Sequence, residues 1–149
     1  VAFRFPSRFW SGTIWNAGKV PGGFPVFNDF TENTGAPMLI CHYGGSFAKS
    51  MRTRSSGERA KAAYSTLQDL MGRDIPKPLA SHATRWSSDA FALGSYSYPV
   101  LGACPGHWES LAAPFGRLGF AGEHTWWPHF GTAHGAMLSG WREAKRLAG

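Results

Sequence analysis

One segment does more than any other to limit what this chain can fold into. Ser55-Ser56-Gly57-Glu58 has the form of a capping box: Ser55 is placed to cap a helix, and Glu58 follows three residues on. Ala60, Ala63, Tyr64, Leu67, Leu70 and Met71 then recur at helical spacing. Gly72 is placed to end the helix, and Pro76 and Pro78 forbid its continuation. The residues before it behave differently. Val1–Phe5, Thr13–Trp15, Phe24–Asn28 and Pro37–Tyr43 are short apolar or alternating runs, separated by Pro6, Pro21-Gly22-Gly23 and Gly44-Gly45. Short strands followed by a long helix predict an α+β fold.

The rest of the chain is less regular. His82–Trp86 reads as another strand, and Gly106–Ala113 as a short helix within an irregular stretch from Ser87 to Gly116. Arg117-Leu118-Gly119-Phe120-Ala121-Gly122 reads as a buried strand ending in a tight turn. Thr132–Leu147 reads as a final helix, with Ala133, Ala136, Met137, Gly140, Trp141, Ala144 and Leu147 expected on its inner side.

Composition excludes several classes. Aromatic residues make up 15% and charged residues 16%, the reverse of what a disordered chain shows. No run of 18 apolar residues exists, so no transmembrane helix is expected. Val1-Ala2-Phe3-Arg4-Phe5 is not a signal or transit peptide, and Cys41 and Cys104 cannot make a disulfide framework. A reduced, cytoplasmic setting follows as the expectation. The net charge is +6, and eight of the 15 Lys and Arg residues lie between Lys49 and Arg85. That stretch admits a second function class, a non-catalytic basic binding module. No zinc pattern, helix-turn-helix or RNP-like aromatic stretch accompanies it, so nucleic acid is not the expected partner. A polyanion binder would lose affinity steeply with salt. His124, His129 and His134 are spaced five and five, which is not the i, i+4 pair of a helix-borne metal site, so no metal is expected.

The chemistry concentrates in two stretches. Gly116-Arg117-Leu118-Gly119-Phe120-Ala121-Gly122-Glu123-His124-Thr125 delivers a Gly-Glu turn. Gly131-Thr132-Ala133-His134-Gly135-Ala136-Met137-Leu138-Ser139-Gly140 then begins a helix. Small residues there let a flat or bulky group approach the backbone. Thr132 is a natural N-cap, and the first free N–H groups, near Ala133 and His134, favour an anion.

These residues closely resemble the C-terminal signature of the flavin-dependent amine oxidases. A second block, Thr84-Arg85-Trp86-Ser87-Ser88-Asp89-Ala90-Phe91-Ala92-Leu93-Gly94-Ser95-Tyr96-Ser97-Tyr98, resembles the family's stretch between its substrate domain and the return to the flavin domain. The resemblance implies FAD as cofactor and oxidation of a C–N bond in an amine or amino acid. Hydride would pass to flavin N5, the imine would be hydrolysed, and hydrogen peroxide would form. It implies that Gly122 and Glu123 lie beside the ribityl–pyrophosphate part of FAD. It places Thr132 and Ala133 at the pyrimidine end of the ring system and Trp86 beside the flavin. Tyr96 and Thr132 become the two walls of a substrate cage, where an aromatic face can orient the amine.

The departures are equally specific. No Gly-x-Gly-x-x-Gly follows a strand, so the dinucleotide-binding half is expected on a separate polypeptide. The family's active-site lysine would precede Val1, and Lys19 does not align with it. His129-Phe130-Gly131 replaces a commoner Tyr-Pro-Ala-type sequence. A first residue other than methionine is expected for a cleaved or an incomplete chain. The resemblance implies that residues 1–115 are part of a mixed-sheet substrate-binding domain. Residues 116–149 would supply the C-terminal strand and helix that complete a Rossmann-like FAD domain. Without that half, apolar surface is expected to stand open, and an inactive fragment of the same superfamily is the alternative.

Overall fold

The computed structural model describes residues 1–72 and 74–149. It contains five strands: β1 (Ala2–Arg4), β2 (Ile14–Trp15), β3 (Val26–Asp29), β4 (Met38–His42) and β5 (Ala80–His82). The helices are α1 (Thr31–Thr34), α2 (Gly45–Met51), α3 (Ser56–Met71), α4 (Pro105–Ala112) and α5 (Ala133–Ala148). Single 3₁₀ turns occupy Trp86–Ser88, Glu123–Thr125 and Trp127–His129. The chain is α+β, as its sequence predicts. It divides into two compact units, Val1–Ser88 and Asp89–Gly149.

The first unit holds one sheet in the order β2-β3-β4-β1-β5, and every pairing in it is antiparallel. Side chains alternate as the pleat requires. Phe3, Phe27, Leu39 and Cys41 are buried, while Arg4 and His42 on the neighbouring positions face water. Burial pushes the Cys41 thiol up to about 12, so it behaves as a small apolar group. Helix α3 lays Ala60, Ala63 and Leu67 into the same core. Its start is the capping box that Ser55 and Glu58 foretell: the Ser55 hydroxyl accepts from Glu58 N–H at 3.2 Å, and Glu58 accepts from Ser55 N–H at 2.8 Å. Gly72 closes it at φ 60°, a left-handed conformation that glycine adopts without a steric cost.

Two short helices go beyond the sequence reading, α1 and α2. Helix α2 forms because Phe47 packs edge-on against Phe24 and Tyr43, at 5.1 and 5.7 Å. The strand expected at His82–Trp86 is displaced to Ala80–His82. Arg59, buried in α3, donates to Thr84 O at 2.6 Å and takes that carbonyl out of any ladder. The backbone then turns through Trp86–Ser88, with Ser88 N–H donating to Arg85 O.

The second unit corrects two further expectations. Arg117–Gly122 is not a buried strand: Leu118 and Phe120 are exposed, and the pairing present is an isolated bridge between Phe115 and Leu118. No neighbouring strand lies beside it among the described residues, and a strand without a partner leaves its backbone groups to water or side chains. Helix α5 is also turned from the expected face. Gly135, Ser139 and Glu143 are its buried row, while Met137, Trp141 and Leu147 are exposed. Packing follows the polar side because Ser139, Arg142 and Glu143 have partners there.

Candidate functional site

The site is built on the N-terminal turn of α5. Thr132 caps that helix: its hydroxyl accepts from Gly135 N–H at 3.1 Å and donates to His129 O at 2.6 Å. Among the described residues, nothing accepts the N–H groups of Ala133 or His134. They are the free end of the helix dipole that the sequence places there. Gly135 is in the buried row because a Cβ at that position would overlap His129 O.

Glu123 gathers the surrounding segments. Its carboxylate accepts from Ser97 N–H at 2.8 Å, from the Ser97 hydroxyl at 2.6 Å and from Gly131 N–H. Gly122, at φ 144°, donates its N–H to Ser139 Oγ at 2.8 Å. Ser139 in turn donates to Ala136 O, so the Gly122-Glu123 turn is fixed to α5. Arg142 holds the same turn from the other side, through Thr125 O at 2.8 Å and Phe120 O at 2.6 Å. Glu143 accepts from both Arg142 and Arg146.

Tyr96 is brought beside this turn. A Cβ on Gly131 would stand 3.5 Å from Tyr96 Cδ2 and 3.4 Å from Ser97 O, and Gly131 sits at φ 70°. Those are ordinary contact distances, so it is the left-handed backbone rather than lack of space that calls for glycine at 131. The structure thus assembles Tyr96, Gly122, Glu123, Thr132 and Ala133 within the second unit. Trp86 belongs to the first unit, where its indole is 54% exposed on a 3₁₀ turn.

Three aromatic rings pack behind the site. Trp108 of α4 lies 4.6 Å from Trp127 and 5.1 Å from Phe130. Trp126-Trp127-Pro128 is thus tied into the unit's own packing. A cavity of about 350 Å³ opens beside it, lined mainly by Tyr98, Val100, His107, Trp108, Leu111 and His124. The rings of His129 and His134 are 4.5 Å apart. Among the described residues, no three His, Cys, Asp or Glu side chains converge as a metal site.

Burial pushes the Glu123 carboxyl up, but the hydrogen bonds from Ser97 and Gly131 and the nearby His124 outweigh it. The net shift is downward. Hydrogen bonds from Arg146 and Arg142 lower Glu143 as well. A carboxylate that titrates lower folded than unfolded adds its full stability above the ordinary carboxylate range. That contribution is lost as pH falls through the depressed folded value. The protection factor of the Gly131 amide, its exchange rate corrected for the intrinsic rate at each pH, should therefore fall on acidification, beginning below the usual Glu range near 4.5. A Gly131 protection factor that stays constant across that range would contradict the assignment.

Sequence reasoning gave no role to Ser97, Ser139 or Arg142, and read Gly131 only as a small residue that lets a group approach the backbone. Their signal was present in part. Ser139 is spaced four residues from Gly135 and from Glu143, which puts the three on one helix face.

The family model for flavin containing amine oxidoreductases matches residues 1–148. The chain belongs to that family. It is 35% identical to "Lysine-specific histone demethylase 1 homolog 1" of Oryza sativa subsp. japonica, over 99% of this chain and 18% of that protein. It is 39% identical to "Histone demethylase-like protein A" of Aspergillus fumigatus, over 85% of this chain and 12% of that protein. Identity to "Polyamine oxidase 5" of Oryza sativa subsp. japonica is 32%, over 94% of this chain and 29% of that protein. The chain thus spans less than a third of the length of these family members. No helix among the described residues is long and apolar enough to cross a membrane.

Proposed function

We propose that this chain is the C-terminal part of an FAD-dependent amine or amino-acid oxidase, active together with a dinucleotide-binding half on a separate polypeptide. The observation that carries the reading is the juxtaposition of Tyr96 with the Gly131-Thr132-Ala133 turn, at the unaccepted N–H groups of α5. The residues present suit a flavin. Tyr96 offers an exposed aromatic face, Gly131 opens the backbone beside it, and the helix terminus favours negative charge at the pyrimidine end of a reduced ring.

In this reading Gly122 and Glu123 lie along the ribityl–pyrophosphate part, Thr132 and Ala133 at the pyrimidine end, and Trp86 beside the ring. When bound, FAD would accept hydride from the carbon next to the amine nitrogen, and dioxygen would reoxidise it to give hydrogen peroxide. This chain's part is positional. The Tyr96 ring orients the amine and stabilises positive charge near it. The Thr132 hydroxyl is committed to His129 O and Gly135 N–H, so Thr132 contributes shape and a fixed helix start rather than proton transfer.

The exposed apolar side chains support a hetero-oligomer. Phe91, Leu101, Phe115, Met137, Trp141 and Leu147 all lie open to solvent in the second unit. In the division implied by the family, residues 1–115 join the substrate domain and 116–149 the FAD domain. Both cysteines are free thiols, which suits a reducing, cytoplasmic setting.

The test is a peroxide-coupled screen of amines and amino acids on the flavin-loaded assembly. Oxidation of at least one amine is the expected result, and Tyr96→Ala should lower its kcat/KM by roughly 10-fold through lost orientation. Oxidation unaffected by Tyr96→Ala would remove the cage assignment. Assembly that holds flavin but oxidises nothing in the screen would remove the oxidase.

A further inference from the structure

We infer that Glu123 acts as a positioning residue, whose carboxylate sets the spacing between Tyr96 and Thr132 and so the width of the substrate opening. The inference rests on the functional reading above. Ser97 directly follows Tyr96, and Gly131 directly precedes Thr132. One carboxylate holds both: Oε1 accepts from Ser97 N–H, and Oε2 accepts from the Ser97 hydroxyl and from Gly131 N–H. No other described side chain joins these two segments.

The clamp has a rigid base. Glu123 stands next to Gly122, which Ser139 anchors to α5 at 2.8 Å, and Arg142 fixes Thr125 and Phe120 on either side. A carboxylate has about four acceptor positions, and three are taken by the chain itself. The side chain therefore points its hydrogen-bonding capacity at Ser97 and Gly131, which leaves at most one position for a ligand. Charge-assisted bonds of this kind are the stronger class. A shift of about 1 Å in a wall far from the chemistry is enough to change a rate constant substantially.

Two measurements on Glu123→Ala and Glu123→Gln test this. The first is amide exchange in the chain itself. Protection at Ser97 and Gly131 should fall at least ~10-fold in Glu123→Ala and less in Glu123→Gln, which keeps one acceptor oxygen. The second uses the flavin-loaded assembly. In the flavin-loaded fraction of each variant, with rates normalised to bound flavin, the KM for amine should rise by more than kcat falls, and Glu123→Gln should lie between Glu123→Ala and wild type. Ser97→Ala, which removes only the hydroxyl bond, should move KM in the same direction by less. If Glu123→Ala does not fold, Glu123→Gln and Ser97→Ala decide. Unchanged exchange at Ser97 and Gly131 would overturn the inference. So would an unaltered KM in the flavin-loaded fraction, because the carboxylate would then serve only the cofactor it lies beside. If wild type itself never holds flavin, the oxidase reading fails and the exchange result alone judges the clamp.

Discussion

Gly135→Ala should destabilise the second unit by about 2–3 kcal/mol. Alanine normally improves a helix interior by about 1 kcal/mol over glycine. Here the added methyl would overlap His129 O and lie 2.9 Å from its carbonyl carbon, both backbone atoms. Backbone cannot rotate away as a side chain can, so the 129–132 turn would have to move. Overpacking of this kind costs about 1–3 kcal/mol and occasionally more. The Thr132 cap would go with it, because its hydroxyl joins His129 O to Gly135 N–H. Losing a threonine cap adds about 1 kcal/mol. Thermal unfolding with amide exchange on α5 checks this. A variant as stable as wild type would mean that α5 does not approach His129 so closely.

Phe27→Ala should cost the first unit about 4 kcal/mol. Phe27 has no exposed surface and sits in β3 opposite Ile14 on one side and Cys41 on the other. It joins Phe3, Leu39 and Leu67 in one buried cluster. Removing a buried phenylalanine loses its transfer free energy and leaves a cavity, together about 3–5 kcal/mol. Domains are commonly stable by only about 5–15 kcal/mol, so a large share of the first unit's stability would be gone. A denaturant titration should show an earlier midpoint with similar slope. A loss below about 1 kcal/mol would show that the sheet core is not packed around this ring.

The sequence was most legible where local chemistry and burial agree. Ser55, Glu58 and Gly72 carry their own capping geometry, so both ends of α3 could be placed within a residue. Leu39 and Cys41 alternate in a run bounded by glycine, and β4 follows. Legibility failed where a side chain overrides the pattern. Arg59 takes the Thr84 carbonyl and ends β5 early. On α5 the apolar residues look like an inner face, yet the buried row is Gly135, Ser139 and Glu143. Hydropathy marks which residues avoid water, and on this helix the apolar row stays open in the chain. The polar row is buried because Gly122 N–H, Arg142 and Arg146 bond to it. Arg117–Gly122 shows the same limit: an apolar run becomes a strand only beside another strand. The motif singles out residues 96, 122, 123, 132 and 133, all of which lie in the second unit. The Glu123 tie to Ser97 spans 26 residues and leaves no periodic trace.

In the proposed function this chain helps to hold a flavin. The most direct test is a visible absorption spectrum of the protein isolated from its source, with the intact mass of every chain that accompanies it. Flavin bands at roughly 380 and 450 nm, a property of the cofactor, are expected, together with a second chain carrying the dinucleotide-binding half. A colourless preparation that is still colourless after incubation with FAD and removal of the unbound cofactor would contradict it.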